Sequence, residues 1–547
     1  MRTGQVSGLV VGLLVAAAAA QHAPFLSMTD LTTGVAPRAV SVPVPWPRPW
    51  PAESCDGTLG LFASADHDPA GIAASDGANQ AAEPAGPDFA APRGWIGWPM
   101  RGNVPANTYR TRGLGSVWVR NTWTYAPTGY RVWRPAVAPD GTIYVTTVRF
   151  PTSGVEGRLA ALNPDGTVKW SVALTNAAGT PVWASSTPVI DDAGNLYIAW
   201  AHDRDFRQLT CLSFDADGKV RWRFEPNIEL ETASHQEPVL ANGVLYAALD
   251  TSFYIGNPTH RASIFALNPA NGQPLWHWRS PNLDTFFDGP AVGPDGAIYH
   301  ASGANSLREA HGWLYRILPD GKLDWSRDLG WAGTNAPPTL DASNNIYLGD
   351  LAGVAWKYTP LGVLAWTYDT LSGRIYTSPA LRGGQVLIGA AYGGLHIVDA
   401  ETGLPINVLE PTFYPMGKST DRAGNVFFYC FDGPGTVFAY GLHDHRWWQD
   451  NTGSGVSVNA CVVGRDGVLL VSDSERLKAF SGFTVGDLNC DGSVDFGDIN
   501  PFVLALTNPA GYQAAYPDCN IDLADINGDG LVDFGDINPF VRLLTQP

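Results

Sequence analysis

The chain is poor in positive charge, and this deficit excludes one class of partner. It has 34 Lys and Arg residues against 52 Asp and Glu residues, so its formal net charge is −18. Nucleic-acid binding requires clustered cations that neutralise phosphates, so we predict no nucleic-acid partner. Half of the negative excess lies at the C terminus, where residues 484–547 contain ten Asp, no Glu and one Arg.

Long apolar runs are also missing. No segment has 18 uninterrupted apolar residues, so no membrane span is predicted. Residues 1–20 carry Arg2, a shorter apolar stretch from Leu9 to Ala20 and a small-residue end, which is the pattern of a secretory signal peptide. No Cys follows that stretch, so no lipid anchor is predicted. We therefore expect a secreted protein, either extracellular or at the cell surface.

Residues 21–93 lack hydrophobic periodicity and are rich in Ala, Pro, Gly and Ser, with PVPWPRPWPAE in the middle. Such a composition cannot bury enough apolar surface to offset the entropy that is lost on ordering. We predict a disordered leader here, and we expect the folded chain to begin near residue 94.

The chain does contain a repeat, and its clearest copy runs from Ser186 to Pro226. This copy has four short runs rich in β-branched and aromatic residues, separated by turns such as Asp217-Gly218 and by one variable loop. Asp-Gly and Asn-Gly pairs tolerate the positive φ of tight hairpin turns. Each copy is therefore predicted to be a four-stranded antiparallel meander.

A period of about 40 to 55 residues with four strands per unit is typical of a β-propeller. Copies recur between residues 94 and 482, and their first strands are predicted after Pro135, Pro188, Pro238, Pro290, Pro338 and Pro379, with weaker versions near Lys418 and Ala460. The predicted last strands carry Trp170, Trp222, Trp276, Trp325, Trp366, Val408 and Trp447 or Trp448. The predicted fold class is all-β, an eight-bladed β-propeller, with seven blades as the alternative.

Ring closure favours eight blades. The eighth copy has only three predicted strands before the composition changes, whereas the segment around Trp123, upstream of the first copy, has the last-strand pattern. We predict that this N-terminal strand completes the eighth blade, because an unpaired sheet edge would otherwise remain there.

The repeat, together with the sequence WPMRGN at residues 98–103, resembles the propeller of pyrroloquinoline-quinone enzymes and of non-catalytic relatives such as the outer-membrane assembly propeller. The resemblance implies a fold rather than an activity. The quinone dehydrogenases stack their cofactor on a disulfide between adjacent cysteines, and this chain has no adjacent Cys pair.

No catalytic residue is assigned. His443, Asp444 and His445 could ligate a metal but are predicted to form a polar hairpin turn. The other polar candidates precede the first strands of blades 3 and 4 and are predicted to approach the central channel: His235, Gln236, Glu237 and Asp288.

Two acidic loops near the C terminus have the spacing of the twelve-residue calcium loop. Alternate residues of such a loop point inward and supply the oxygens that a hard cation requires, and a Gly at position 6 allows the sharp turn. The predicted ligands are Asp487, Asn489, Asp491, the carbonyl of Ser493, Asp495 and Asp498 in the first loop, and Asp525, Asn527, Asp529, the carbonyl of Leu531, Asp533 and Asp536 in the second. Each loop ends in Asp rather than Glu, which predicts weaker binding of two calcium ions.

Residues 483–547, with a short helix predicted after each loop (Phe502 to Leu506 and Phe540 to Leu544), resemble the type I dockerin module. The resemblance implies a tandem EF-hand domain that binds a cohesin-like or other docking protein. By position in the family, partner binding falls on Phe496 and Gly497 and on Phe534 and Gly535, although Phe-Gly is unusual there. Pro501 and Pro539 predict that each helix starts late, capped by Asn500 or Asn538.

Five of the six cysteines can be interpreted from their surroundings, and Cys55, in the predicted leader, is unassigned. Cys211, Cys430 and Cys461 fall in apolar strand runs and are predicted to be buried thiols. Cys490 lies inside the first acidic loop and Cys519 shortly before the second, so that a disulfide and two free thiols are both open.

These features favour a binding or assembly protein, whose propeller would take a carbohydrate or protein ligand. The alternative is a carbohydrate-active enzyme, a glycoside hydrolase or polysaccharide lyase in polysaccharide catabolism, because such enzymes occur on propellers and carry dockerins. A quinone-dependent dehydrogenase is less favoured.

Overall fold

A computed structural model describes residues 110–545, except for gaps at 112–113, 153, 204–208, 227–236, 250–262, 283–288, 304–310, 410–414, 431–434, 442, 452–459, 465–466, 474 and 518. The predicted signal peptide, the predicted leader and the expected start of the fold near residue 94 lie outside the described residues.

Eight antiparallel sheets, one for each blade, follow one another along the chain. Blade 1 contains β2 (Arg131–Val132), β3 (Ala136–Val137), β4 (Ile143–Arg149), β5 (Glu156–Leu162) and β6 (Val168–Ala173). Blade 2 contains β7 (Val189–Ile190), β8 (Leu196–His202), β9 (Leu209–Phe214) and β10 (Val220–Phe224). Blade 3 contains β11 (Val239–Ala241), β12 (Val244–Leu249), β13 (Ser263–Leu267) and β14 (Pro274–Arg279). Blade 4 contains β15 (Ala291–Val292), β16 (Ile298–Ala301), β17 (Gly312–Ile317) and β18 (Leu323–Gly330).

The second half of the ring repeats this pattern. Blade 5 contains β19 (Thr339–Leu340), β20 (Ile346–Gly349), β21 (Val354–Tyr358) and β22 (Leu364–Asp369). Blade 6 contains β23 (Ala380–Arg382), β24 (Gln385–Ala390), β25 (Gly394–Asp399) and β26 (Pro405–Leu409). Blade 7 contains β27 (Pro415–Thr420), β28 (Val426–Cys430), β29 (Thr436–Tyr440) and β30 (Arg446–Asn451). Blade 8 contains β31 (Ala460–Val463), β32 (Leu469–Ser472), β33 (Leu477–Thr484) and, from the N terminus, β1 (Ser116–Tyr125).

The closing strand confirms the prediction of eight blades rather than seven. In the sheet order of blade 8, β1 is the outer neighbour of β33, and the two strands pair antiparallel from Ser116 opposite Thr484 to Tyr125 opposite Leu477. Trp123 lies opposite Ala479, which is the last-strand position that the sequence predicts for it. The first and last parts of the ring are therefore joined by a sheet rather than by a loop.

Every outer strand is irregular at the same point. The register shifts immediately before Trp170, Trp222, Trp276, Trp325 and Trp366, and likewise before Trp123 in β1. A bulge of this kind twists the strand and redirects the following side chain. The same shift resolves the seventh blade in favour of Trp448, and it corrects the sixth, where Asn407 rather than Val408 occupies the position.

These tryptophans join each blade to the next. The indole Nε1 donates to a carbonyl in the last hairpin turn of the following blade at 2.9–3.2 Å, in the pairs Trp123–Pro164, Trp170–Ala216, Trp222–Pro269, Trp276–Pro319, Trp325–Pro360 and Trp366–Ala400. Gly218 in one such turn has a φ of +79°, and a Cβ there would meet the Trp170 ring at 2.9 Å. The turn glycine is thus required both by its conformation and by the ring that covers it.

We expect Trp222→Ala to lower the free energy of unfolding by about 3–5 kcal/mol, because the ring is buried against Tyr197 and its removal leaves a cavity. Trp222→Phe keeps much of the packing and loses mainly the hydrogen bond to Pro269, at a cost of about 1 kcal/mol. Chemical denaturation measures both. Equal losses in the two variants would mean that packing does not dominate this contact.

The hydrophobic core is continuous between neighbouring sheets and includes the buried thiols. Cys211, Cys430 and Cys461 are buried thiols, which confirms their prediction. Cys430 and Cys461 lie in the cores of blades 7 and 8. Burial raises the pKa of the Cys211 thiol to about 12, so it is an unreactive apolar group.

Strand direction alternates, which gives the ring two different faces. The first and third strands of each blade end in hairpin turns on one side, here called the turn face. Because β33 is the third strand of blade 8, the chain leaves the ring on the turn face at Thr484. On the same face Asp421, fully buried, accepts from the Gly115 amide at 2.9 Å and so holds the segment that leads into β1.

The C-terminal residues form a small helical module with α1 (Ile499–Thr507), α2 (Pro509–Ala515) and α3 (Ile537–Thr545). The predicted helices exist but begin earlier than expected, because a 3-10 turn, Phe496–Asp498 or Phe534–Asp536, leads directly into each. Asp495 and Asp533 cap these turns in capping boxes, so Asn500 and Asn538 are not the caps. Among the described residues no helix is long and apolar enough to cross a membrane.

Candidate metal centres and docking surface

The first acidic loop is built around Asp487, whose side chain is fully buried. Its Oδ2 accepts from the Gly492 amide at 3.1 Å across the loop. Its Oδ1 is also buried but has no hydrogen-bond partner among the described atoms. A buried carboxylate oxygen without a hydrogen-bond partner lowers the stability of the fold, and such an atom is available to a cation.

The other carboxylate and amide oxygens of the loop are held by backbone N–H groups. Asn489 Oδ1 accepts from the Asp491 amide at 2.9 Å, and Asp491 Oδ1 accepts from the Ser493 amide at 2.9 Å. Asp498 accepts at one oxygen from Leu488 and Asn489 and at the other from Asp495. These hydrogen bonds hold the side chains in place, and each oxygen keeps a further lone pair that could bind a cation.

The second loop repeats this pattern at matching positions. Asp525 Oδ2 accepts from the Gly530 amide at 2.9 Å, Asp529 Oδ1 accepts from Leu531, and Asp536 accepts from Asn527 and Asp533. One difference is that Asp525 Oδ1 accepts from Gly528 and Asp529, whereas its counterpart in the first loop has no partner. The two loops therefore share a geometry, but the first predicted ligand, an Asp in both, differs in its hydrogen bonds.

The electrostatics of both loops disfavour uncompensated negative charge. Burial, with the charge of Asp498 adding to it, raises the pKa of Asp487 to about 6. Burial, with smaller effects of Asp536 and Asp529, likewise raises the pKa of Asp525 to about 6. Burial also raises the pKa values of Asp498 and Asp536. Carboxylates in this state gain stability from a nearby cation.

The donor set fits calcium. It consists of carboxylate, amide and carbonyl oxygens, which hard cations prefer, and the only thiol in the loops is removed by a disulfide. Within the described residues, no three His, Cys, Asp and Glu side chains already form a ready-made metal cluster. When bound, the cation would supply the charge that draws Asp487, Asp491 and Asp498 together in the first loop. The predicted carbonyl ligands of Ser493 and Leu531 remain predictions.

The module has its own core and a covalent link. Cys490 and Cys519 form a disulfide across 29 residues, which decides the alternative that the sequence left open. The rings of Phe502 and Phe540, each the fourth residue of its helix, meet at 4.2 Å between centroids. Tyr512, from α2, donates its hydroxyl to the Leu488 carbonyl at 3.0 Å and so ties that helix to the first loop.

We expect replacement of both Cys490 and Cys519 by Ser to lower the free energy of unfolding of the module by about 3–4 kcal/mol, since the bridge restricts a loop of this length in the unfolded chain. Reduction of the wild-type protein should have the same effect, and calcium should offset part of it. Thermal unfolding followed by helical circular dichroism checks this. An unchanged transition would show that the core alone holds the module together.

Each loop ends in an exposed apolar stripe, and the two stripes match. Phe496 is 72% exposed and Phe534 75% exposed, at the predicted partner-binding positions beside Gly497 and Gly535. Ile499 and Val503 continue the first stripe along α1, and Ile537 and Val541 continue the second along α3. We call these six residues the paired stripes. This repeated exposure of large apolar side chains makes the paired stripes a candidate docking surface.

The module is joined closely to the propeller. Phe483, near the end of β33, packs against the module core together with the buried Val485 and Leu488. The Gly486 amide donates to the Leu523 carbonyl at 2.9 Å. A Cβ on Gly530, in the second loop, would lie 3.5 Å from His445 Nδ1 of blade 7. The second loop therefore rests on a propeller turn.

The same turn contains the run from His443 to Asp444 and His445, which the sequence predicted to be a polar hairpin turn rather than a metal site. Asp444, with a φ of +66°, lies in the last hairpin of blade 7, between His443 and His445, as the turn prediction requires. It accepts from Arg382 and from Asn407 Nδ2, both at 3.1 Å. Asn407, which replaces the usual tryptophan, thus still joins blade 6 to the following turn, through a carboxylate instead of a carbonyl.

At the opposite end of the inner strands, Glu237 is buried and paired. It accepts from Arg134 at 2.7 Å and from the Thr187 amide at 2.6 Å. Arg134 and Thr187 were not predicted as site residues, although they and Glu237 each directly precede the proline of a first strand, in blades 1, 2 and 3. His235, Gln236 and Asp288 lie outside the described residues. The structure therefore gives Glu237 a role in joining three blades.

The repeat itself can be compared with known families. The model described as outer membrane protein assembly factor BamB, a PQQ_2 repeat, matches residues 115–279 and 260–409, which together make up more than half of the chain. The chain belongs to this repeat family. The match includes blades 1–6 and does not reach the C-terminal module.

Three solved structures that are similar to this chain are compared with it by identity, coverage and TM-score. The quinohemoprotein alcohol dehydrogenase from Comamonas testosteroni shares 13% identity over 70% of this chain and 80% of its own, with a TM-score of 0.54. A europium-containing methanol dehydrogenase shares 13% identity over 81% of this chain and 96% of its own, with a TM-score of 0.52. BamB from Moraxella catarrhalis shares 14% identity over 66% of this chain and 100% of its own, with a TM-score of 0.45.

No curated protein sequence matches the chain significantly. At 13% identity the two dehydrogenases establish the fold of this PQQ_2 member and nothing of its chemistry. Its function therefore has to be argued from its own surfaces and loops.

Proposed function

We propose that this protein is an exported, calcium-binding propeller that acts as a binding and assembly protein, docked to a scaffold or cell surface through its C-terminal module. The observation that carries the proposal is the duplication in residues 483–547. Each copy joins an oxygen-rich loop to an exposed Phe–Ile–Val stripe of the same geometry. The duplicated positions combine a cation site with a contact surface.

Calcium would act through folding. The loops hold four carboxylates each, two of them with raised pKa values, and a bound cation removes the repulsion between them. The loop and its 3-10 turn lead directly into the helix that carries the stripe, so ordering the loop also orders the stripe. A docking surface of this kind is complete only when the cation is bound.

The partner is expected to be a cohesin-like or other docking protein with an apolar surface. The module carries ten Asp and one Arg, so acidic partners are disfavoured and a neutral or basic rim would be favoured. The family name, an assembly factor, supports a protein-binding role for the propeller as well. The predicted signal peptide supports export.

The test uses the mature chain, residues 21–547, as bait for secreted and surface proteins of the source organism. We expect capture of a defined partner with calcium and none with chelator, and calorimetry should show two calcium ions bound. Phe496→Ala with Phe534→Ala should abolish capture and leave calcium binding intact. Val168→Ala with Leu275→Ala, which removes exposed side chains of the propeller, is the matched control.

The outcomes separate the parts of the proposal. Calcium binding without calcium-dependent capture would make the module a structural cap. Capture that survives the double Phe variant would place the contact elsewhere. Turnover of a polysaccharide by the purified protein would favour the carbohydrate-active enzyme instead.

A further inference from the structure

The outer rim of blades 5 and 6 differs from that of blades 1–4. In each of blades 1–4 one large aliphatic side chain of the last strand is exposed: Val168, Val220, Leu275 and Leu323. Blades 5 and 6 expose three each, at the last turn and strand: Leu361, Val363 and Leu364 in blade 5, and Leu404, Ile406 and Val408 in blade 6. We call these six residues the apolar rim.

The two halves of the apolar rim are neighbours in space. Trp366, two residues after Leu364, donates to the Ala400 carbonyl, and its ring lies against Gly403, directly before Leu404. Lys357 of blade 5 also reaches the Ala400 carbonyl and Glu401. The last strand of blade 5 therefore rests on the turn that opens the last strand of blade 6, so the two halves of the apolar rim occupy adjacent parts of the outer rim.

The loss of a tryptophan explains part of this exposure. In blade 6 the position after the bulge is Asn407, whose short side chain reaches Asp444. All four residues from Pro405 to Val408 are exposed, whereas the outer strands of blades 1–5 each bury or half-bury some residues in the same stretch. β26 is also the outermost strand of its sheet, so no further strand covers it.

The exposed area of the apolar rim is compatible with a contact between two copies of the chain. Leu361 is 76% exposed and Leu404 64%, and the other four range from 45% to 58%. At these fractions the apolar rim presents on the order of 500 Å² per copy, and two copies together about 1,000 Å², the lower limit for a specific interface. Two-fold contacts, in which the same patch meets itself, are the commonest symmetric assembly.

We propose that the apolar rim is a two-fold contact between two copies of this chain, with blades 5 and 6 of one copy packed on blades 5 and 6 of the other. Removal of this aliphatic surface from water is the driving force. The six contact residues carry no charge, and the exposed Glu401 between the two halves is paired with Lys357 at 2.9 Å. The C-terminal module is not part of this contact.

The experiment is sedimentation velocity and light scattering on the mature chain between about 1 and 100 µM, with calcium and with chelator. We expect a monomer–dimer equilibrium that chelation leaves unchanged. Val363→Lys with Ile406→Lys should weaken dimerisation by at least about 100-fold. Val168→Lys with Leu275→Lys, which places the same charges on the rims of blades 1 and 3, should leave it unchanged.

Hydrogen exchange supplies an independent readout. Residues 361–364 and 404–409 should become more protected as the wild-type protein is concentrated, and should not in the Val363→Lys, Ile406→Lys variant. A monomer at all concentrations, a dimer that both Lys variants retain, or equal weakening in both variants overturns the proposal. Dimerisation that requires calcium would also overturn it, since it would assign the contact to the module.

Discussion

Replacement of Asp487 and Asp525 together by Ala should unfold the C-terminal module and leave blades 1–7 folded. Each carboxylate is the first predicted ligand of its loop and is buried, so its loss removes a cation site as well as the hydrogen bond across the loop. At calcium concentrations about 100 times the dissociation constant, each lost site costs about 2.7 kcal/mol of stability. The loss of both sites exceeds the free energy of unfolding that we expect for a module of this size.

The residues that connect β33 to the module determine how far into the propeller the unfolding extends. Phe483 packs in the module core, and only Val485 and Gly486 separate the end of β33 from Asp487. We therefore expect the last residues of β33 to exchange faster in the double variant, and its pairing with β1 nearer Leu477 to persist. Calorimetry should show the loss of one transition and retention of the larger one.

The control for this prediction is Asp522→Ala, which removes an acidic residue of the module outside the predicted ligand sets. It should leave calcium binding unchanged. If chelator does not destabilise the wild-type module, or if the control loses calcium as the double variant does, the loop assignment is wrong.

Removal of β1 should open the ring. A chain that begins at Ala126 lacks the strand that pairs with β33 along its whole length, and it lacks Trp123, which joins blade 8 to blade 1. The exposed edge of β33 and the uncovered turn at Gly166 would then meet water. We expect a loss of more than about 5 kcal/mol, comparable with the whole stability of many domains, and aggregation through the free edge.

A chain that begins at Arg110 is the matched control, because it keeps β1 and the Gly115–Asp421 hydrogen bond. It should be soluble and should melt like the mature protein. Equal solubility and equal melting of the two chains would show that the ring does not depend on this closure.

The repeat could be predicted because it is local. The period of the copies, the Asp-Gly turns and the last-strand tryptophans all follow from short-range patterns, and they led to four strands per blade and eight blades. Ring closure was also predictable, because an incomplete eighth copy and an unassigned strand at Trp123 leave one arrangement without an open edge. The single error in register, Val408 in place of Asn407, arose because the sixth blade has no tryptophan to mark the bulge.

The first residues of the module helices were predicted wrongly from the sequence. Pro501 and Pro539 predicted a late start, since Pro favours the first helical turn. In the structure they are the third residues of α1 and α3, still within the first turn, and the preceding 3-10 turn capped by Asp495 or Asp533 extends each helix toward the loop. The aspartates that the sequence assigned only to calcium thus also begin the helices.

The sequence by itself determined the all-β propeller, its eight blades, the closing strand and the spacing of two acidic loops, because each depends on residues close together in the chain or on a repeat that can be counted. Only the tertiary structure decided which groups meet across the fold: Glu237 with Arg134, Asn407 with Asp444, Cys490 with Cys519, the second loop with His445, and the joined rims of blades 5 and 6. These contacts link residues far apart in sequence, and their geometry follows from the closure and twist of the ring, which no local pattern encodes.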